Sequence, residues 1–152
     1  MKQKPSLKAR ALRFLASREH SARELTAKLK PYAEETDDIE SLIQWLQEKG
    51  FLSEERFAET YARHRAARYG SRKILYDLQN HQLPSSVMQE ITETLEETEL
   101  QHAFVLWERK FGKPPETLPE KAKQIRFLQQ RGFPGNIIRQ VIKGDLPDFE
   151  DP

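Results

Sequence analysis

Apolar residues recur along this chain at helical spacing. Leu7, Ala11, Leu12, Phe14 and Leu15 fall at intervals that place them on one helix face,. Phe57, Ala58 and Tyr61 form a second such stretch, and Ala103, Phe104, Trp107 and Phe111 a third. Each precedes a pair of shorter apolar stretches, and these pairs match one another. Leu75, Leu78, Leu83, Pro84, Val87, Met88 and Ile91 correspond without a gap to Ile125, Leu128, Phe133, Pro134, Ile137, Ile138 and Val141, fifty residues on. Leu25 aligns with Leu75 at the same offset, while Ile39, Leu42 and Leu46 align with Met88, Ile91 and Leu95 one residue short of it.

The pattern predicts an all-α fold: three tandem three-helix repeats forming an elongated, curved array. The repeats are placed at 1–50, 51–98 and 99–144, with a disordered acidic tail at 145–152. Nine helices are predicted, near 6–17, 21–30, 37–49, 54–69, 71–81, 84–98, 99–112, 119–131 and 134–143. Pro84 and Pro134 are read at first helical positions, where a missing N–H costs nothing. Ser21 with Glu24 reads as a capping box, Asp37 with Glu40 as a weaker one, and Ser53 and Ser71 as N-caps. Gly50, Gly112 and Gly132 sit where helices should stop. The proline-rich run from Gly112 to Pro119 reads as a stiff connector.

Composition supports helices and a thin core. Seventeen Leu against three Val disfavours sheet,. Charged residues make up 32% of the chain and mean hydropathy is −0.80, which suits an array with a high ratio of surface to volume. With no cysteine, the chain offers neither disulfides nor thiolate chemistry. No apolar run approaches the roughly 20 residues that span a bilayer, and the basic N-terminus lacks the apolar stretch of a signal peptide. A cytoplasmic monomer without membrane attachment is expected.

A search for catalytic chemistry yields nothing. His20, His64, His81 and His102 do not pair at metal-binding spacing, and HExxH, P-loop, GxGxxG and GxSxG motifs are absent. The expectation is a binding protein that uses no cofactor and no metal. His20, just before the Ser21 cap, is read as fixing a turn, and Trp45 and Trp107 as core.

Charge adds more. A net charge of +1 conceals banding: basic up to Arg18, acidic from Glu34 to Glu59, basic from Tyr61 to Lys73, acidic from Glu90 to Glu99, then basic again from Trp107 to Arg131. Two basic faces follow as candidate partner-binding surfaces. The first comprises Arg63, Arg65, Arg68, Arg72 and Lys73, with Arg65, Arg68 and Arg72 on one side if the helix runs on past Gly70. The second comprises Lys123, Arg126 and Arg131. Such faces in successive repeats could follow a phosphate backbone or meet an acidic protein groove. Tyr69 beside Arg68 resembles the aromatic-plus-arginine mixture of interface hot spots. Sequence-specific reading of DNA by helix-turn-helix units is disfavoured, because the helix after Val87 carries Glu90, Glu93, Glu96, Glu97 and Glu99,.

Several runs resemble the RecX family of recombinase regulators. Arg18-Glu19-His20-Ser21 with Glu24, Leu25 and Leu29 is similar to that family's opening motif. Leu46, Glu48, Gly50, Leu52, Arg56, Phe57 and Ala58 are similar to its next segment. Arg63, Arg65, Gly70, Ile74 and Leu78 follow, and Arg126-Phe-Leu-Gln-Gln-Arg-Gly-Phe133 resembles its C-terminal motif. The resemblance implies three tandem three-helix repeats. It also implies binding to RecA, in the groove of the RecA–DNA filament, with inhibition of ATP hydrolysis, strand exchange and co-protease activity, restraining recombination and the SOS response. Two departures stand out: Gln82 where the family has glycine, and Ser53-Glu54 in place of an aspartate. A non-specific DNA-binding module acting through phosphate contacts is the alternative, and a scaffold for another partner a third reading.

Overall fold

The computed structural model describes residues 4–149, and among these it is all helical. Helices α1 (Leu7–Ser17), α2 (Ala22–Leu29) and α3 (Ile39–Glu48) form the first unit, with a 3₁₀ turn at Lys30–Tyr32. Then come α4 (Glu54–Ala66), α5 (Ser71–Gln79), α6 (Ser85–Lys110), α7 (Leu118–Gln130) and α8 (Gly135–Lys143). Three separate apolar cores follow the repeat. The first gathers Leu7, Ala11, Leu25, Leu29, Ile43, Leu46 and Leu52. The second is built on Phe57, Ile74, Leu78, Val87, Ile91 and Leu95, with Ala58, Ala62 and Ala66 letting α4 lie close against α6. Ala103, Trp107, Leu128, Phe133, Ile138, Val141 and Ile142 make the third. The accessible surface is 10707 Å², well above the roughly 8000 Å² of a compact chain of this mass. The array is therefore elongated, as its composition suggests.

The two helices expected at 84–98 and 99–112 are one continuous helix, α6, so the described residues hold eight α-helices rather than nine. Nothing at 98–99 breaks it: the junction is Thr98-Glu99-Leu100, with no glycine or proline. Its buried residues Val87, Ile91, Leu95, Glu99, Ala103 and Trp107 are each four apart. A four-residue step overshoots a full turn by about 40°, so the buried stripe winds about 200° around the axis from Val87 to Trp107. One face of α6 thereby closes the second core and the opposite face opens the third. The expected boundary at 98/99 falls within this shared helix.

The caps refine the sequence reading. Ser21 forms the predicted capping box with Glu24, and Ser53 caps α4 by accepting from the Arg56 amide. Asp38 rather than Asp37 caps α3, because it alone reaches the Ser41 amide. Pro84 and Pro134 occupy N-cap rather than first helical positions. Helix α4 stops at Ala66, so Arg68 lies in the turn beyond it. The segment 145–149 forms no helix, but Leu146 packs on the third core and Phe149 lies 5.9 Å from Phe104. The remainder of the expected acidic tail lies outside the described residues.

The units are joined by one recurring device, in which a carboxylate at or near the start of one unit caps the middle helix of the unit before it. The Ala22 amide at the head of α2 donates to Glu54 Oε1 at 2.6 Å. At the head of α5, the Ser71 amide and hydroxyl donate to Glu99 at 2.7 and 2.8 Å. Ser71, expected as an N-cap, is instead the first helical residue, and Glu99 takes over the capping role from 28 residues away. Negative charge at a helix N-terminus complements its dipole. Glu99 is nevertheless buried, and desolvation pushes its pKa above the ordinary carboxylate range. We expect Glu99→Ala to lose about 2–3 kcal/mol in chemical denaturation, because two buried donors lose their acceptor. A raised native pKa means that the folded state holds the proton more tightly than the unfolded chain. The stabilisation linked to this proton is therefore fully present below the unfolded pKa and lost as pH rises through the native one, while the two capping hydrogen bonds contribute separately,.

The turn after each middle helix packs on the head of the preceding one. His81 in the first junction corresponds to Arg131 in the second, and Gln82 to Gly132. Gln82 has φ 50° where Gly132 has φ 93°. A side chain in the left-handed region costs about 1 kcal/mol, which gives a physical reason for the glycine that the resemblance implies at this position. Gln82→Gly is expected to raise the thermal midpoint by a few degrees, readable by circular dichroism.

Candidate partner-binding surface

The eight predicted cations divide into three groups. Arg63 and Arg65 are two positions apart on α4, so they point to opposite sides. Arg63 lines the furrow between α4 and α6, beside Ala62, Ala66, Leu95 and His102. Arg65 faces the first unit, with its guanidinium carbon 4.8 Å from the centre of the Tyr61 ring. The continuous face of Arg65, Arg68 and Arg72 does not form, because the chain turns between Ala66 and Ser71.

The remaining cations gather where the second and third units meet. Here the backbones touch directly: the Gly70 amide donates to the Arg131 carbonyl at 2.7 Å, and the Arg72 amide to the Gly132 carbonyl at 3.0 Å. This contact brings Arg68, Arg72 and Lys73 of one sequence cluster against Arg131 of the other. Arg131 donates to the Arg68 carbonyl at 3.4 Å, and its guanidinium lies 5.3 Å from the Phe127 ring centre and 6.0 Å from that of Tyr69. Lys73 Nζ is 5.1 Å from the Tyr69 centre, and Lys110 Nζ is 5.8 Å from that of Phe127. Lys123, Arg126 and Lys110 border a shallow depression over Phe111 and Phe127. Arg68, Arg72 and Lys73 of the first predicted face thus join the second face in one surface of cations alternating with aromatic rings, while Arg63 and Arg65 lie outside it.

Among the described residues, the ion pairs are Arg18 with Glu24 and Arg56 with Glu19. None of the eight predicted cations has a carboxylate partner there. Cations resting on aromatic rings are held without being neutralised, since each contact contributes about 0.5–1 kcal/mol and leaves the charge facing solvent. Such a surface is suited to phosphates or clustered carboxylates. Lys110 and Phe127 belong to it as well. The lysine's place over that ring depends on α6 and α7 meeting, for which the sequence carries no local signal.

The first junction holds a polar cluster of which the sequence reading resolved His20 and the Ser21–Glu24 capping box but not Lys28 or His81. His20 is fully buried, donates Nδ1–H to the Arg18 carbonyl at 3.0 Å and accepts from Lys28 Nζ at 3.0 Å. It fixes the turn, as expected. The Ser21 hydroxyl accepts from the Glu24 amide and shares a hydrogen bond with His81 Nδ1 at 2.7 Å. Desolvation holds the pKa of both histidines below the usual value. Ser21 is fully buried, so its hydroxyl is closed off from solvent. No group of three or more potential metal ligands occurs among the described residues, and no described helix is long and apolar enough to cross a membrane.

Comparison with known proteins agrees with this architecture unit by unit. Residues 8–46 match the family model for the first three-helix domain of RecX, 53–90 that for the second, and 97–142 that for the third. The chain is 48% identical over 147 residues to a regulatory protein RecX of Herbaspirillum seropedicae, covering 97% of this chain and 96% of that one. It is 42% identical over 150 residues to the regulatory protein RecX of Ralstonia nicotianae, covering 97% and 94%. The crystal structure of RecX from Lactobacillus salivarius shares the fold, with a TM-score of 0.77 at 17% identity over 91% of this chain and 93% of that one. A second crystal structure, of a regulatory protein RecX, gives a TM-score of 0.73 at 18% identity over 90% of this chain and 71% of that one. The chain belongs to the RecX family of regulatory proteins.

Proposed function

We propose that this protein binds RecA, lodges in the groove of the RecA–DNA filament and inhibits the filament's ATPase, strand-exchange and co-protease activities, and that it restrains recombination and the SOS response in this way. Family membership supports the choice of partner. The observation that carries the mode of binding is the unneutralised cation–aromatic surface spanning the second and third units. A helical filament presents the same surface at regular intervals, and an elongated array of three units can touch more than one interval at once. Linked contacts of that kind raise avidity without any single strong contact. The reading takes the protein as a cytoplasmic monomer that uses no cofactor.

Adding the protein in substoichiometric amounts to RecA on single-stranded DNA should depress ATP hydrolysis. An unchanged rate at every ratio would rule the reading out. The alternative, a module that holds DNA through phosphate contacts alone, is favoured by the same unpaired cations. It predicts binding to bare DNA that collapses as salt rises, whereas filament binding should persist at salt concentrations where bare-DNA binding is lost.

A further inference from the structure

Arg65 is separated from the cation–aromatic surface, and its surroundings suggest a distinct role. It overhangs a cleft of about 550 Å³ between the first and second units. The floor of this cleft is aromatic: the Phe57 ring lies 4.7 Å from His81 and 5.8 Å from Tyr61, and Tyr61 and His81 are 6.0 Å apart. The walls carry two carboxylates, and each already has a partner. Both guanidinium nitrogens of Arg18 donate to Glu24, at 3.0 and 2.7 Å, and Arg56 Nε donates to Glu19 at 2.9 Å. Arg65 and His64 stand at the rim without a carboxylate partner among the described residues. The charge left uncompensated in the cleft is therefore positive, and it sits directly above an apolar floor.

We infer that this cleft is a docking site for an acidic segment of the protein partner, with a carboxylate received by Arg65 and an adjacent apolar side chain seated on Phe57, Tyr61 and His81. A guanidinium resting on a ring keeps its outer N–H groups directed outward in the forked geometry that matches a carboxylate. The rings beneath exclude water from that contact and strengthen it. A nucleotide strand fits this cleft less well, because a phosphate chain needs cations in series, whereas Arg18 is already engaged by Glu24 and only Arg65 and His64 stand at the rim without a carboxylate partner. The inference rests on the protein-partner reading above and adds the chemistry that the partner presents at this point.

The test is site-specific photo-cross-linking on the intact protein. A benzophenone amino acid replaces Thr60, which lines the cleft, and the protein is irradiated with RecA filaments assembled on oligo(dT), with co-sedimentation measured in parallel. The expected cross-link is to a RecA segment in which Asp or Glu flanks an apolar residue. Arg65→Ala should weaken co-sedimentation about tenfold, while Arg13→Ala, the same change of charge at an exposed position of α1 away from the cleft, should leave it within about twofold. Thermal melts of both variants confirm folding. Cross-links to the oligonucleotide or to a segment without acids, or equal binding by the Arg65→Ala and wild-type proteins, would overturn the docking site while leaving filament binding intact. Failure of the wild-type chain to sediment with filaments would remove the partner reading and this inference together.

Discussion

Gly70→Val should open the backbone contact between the second and third units, leaving them joined through α6. A Cβ built on Gly70 would lie 2.5 Å from the carbonyl carbon and oxygen of Gly132 and from the amide nitrogen of Phe133. All three are backbone atoms, so no side chain can rotate away to make room. The contact would have to open, and with it would go the bonds from Gly70 to Arg131 and from Arg72 to Gly132. Overpacking costs about 1–3 kcal/mol and each lost backbone hydrogen bond about 1 kcal/mol, so a loss of about 3–5 kcal/mol is expected. Urea unfolding followed by circular dichroism should show a lower midpoint or two separate transitions. Gly135→Ala is the matched control, since the added methyl group would meet only Arg139 Nη1 at 4.0 Å, and its midpoint should scarcely move. Equal midpoints for Gly70→Val and wild type would mean that the junction contributes nothing to stability.

The same junction governs the second large effect, on binding. Reversing Arg68, Lys123 and Arg126 to glutamate should reduce filament binding by on the order of 100-fold or more at low salt, with little change in stability. The three side chains are exposed and make no intramolecular ion pair among the described residues. Surface substitutions of this kind usually shift stability by less than about 0.5 kcal/mol each. Their effect on the partner is larger because an attraction is replaced by a repulsion across the interface. Co-sedimentation over a salt series should show the wild-type advantage shrinking as salt screens the charges. A folded triple variant that binds as tightly as wild type would place the contact on another face.

The chain discloses its organisation unevenly. Leu78 and Leu128, or Val87 and Ile137, identify their partners fifty residues away by type and spacing alone, because a helix buries residues at fixed local intervals. The same local rule could not show that α6 is continuous. Its buried stripe winds from one core to another, and the periodicity resembles two helices when either core is considered alone. Ser71 carries the right hydroxyl for an N-cap, yet its amide is satisfied by Glu99, a residue whose acidity reads as a solvated helix face. Arg63 and Arg65 look equivalent within one basic run until the two sides of α4 are seen to face a furrow and a cleft.

From its residues alone, then, the chain declares three helical units, where most of their helices start and stop, and that its charge is segregated, since each depends on neighbours within one or two turns. Which cations act together was decided by the tertiary structure. Arg131 meets Tyr69 and Arg68 only because two glycines lack a Cβ and let the second and third units touch backbone to backbone. Clearance across a junction and the direction of a side chain after a turn are properties of docked units, and no local pattern records them.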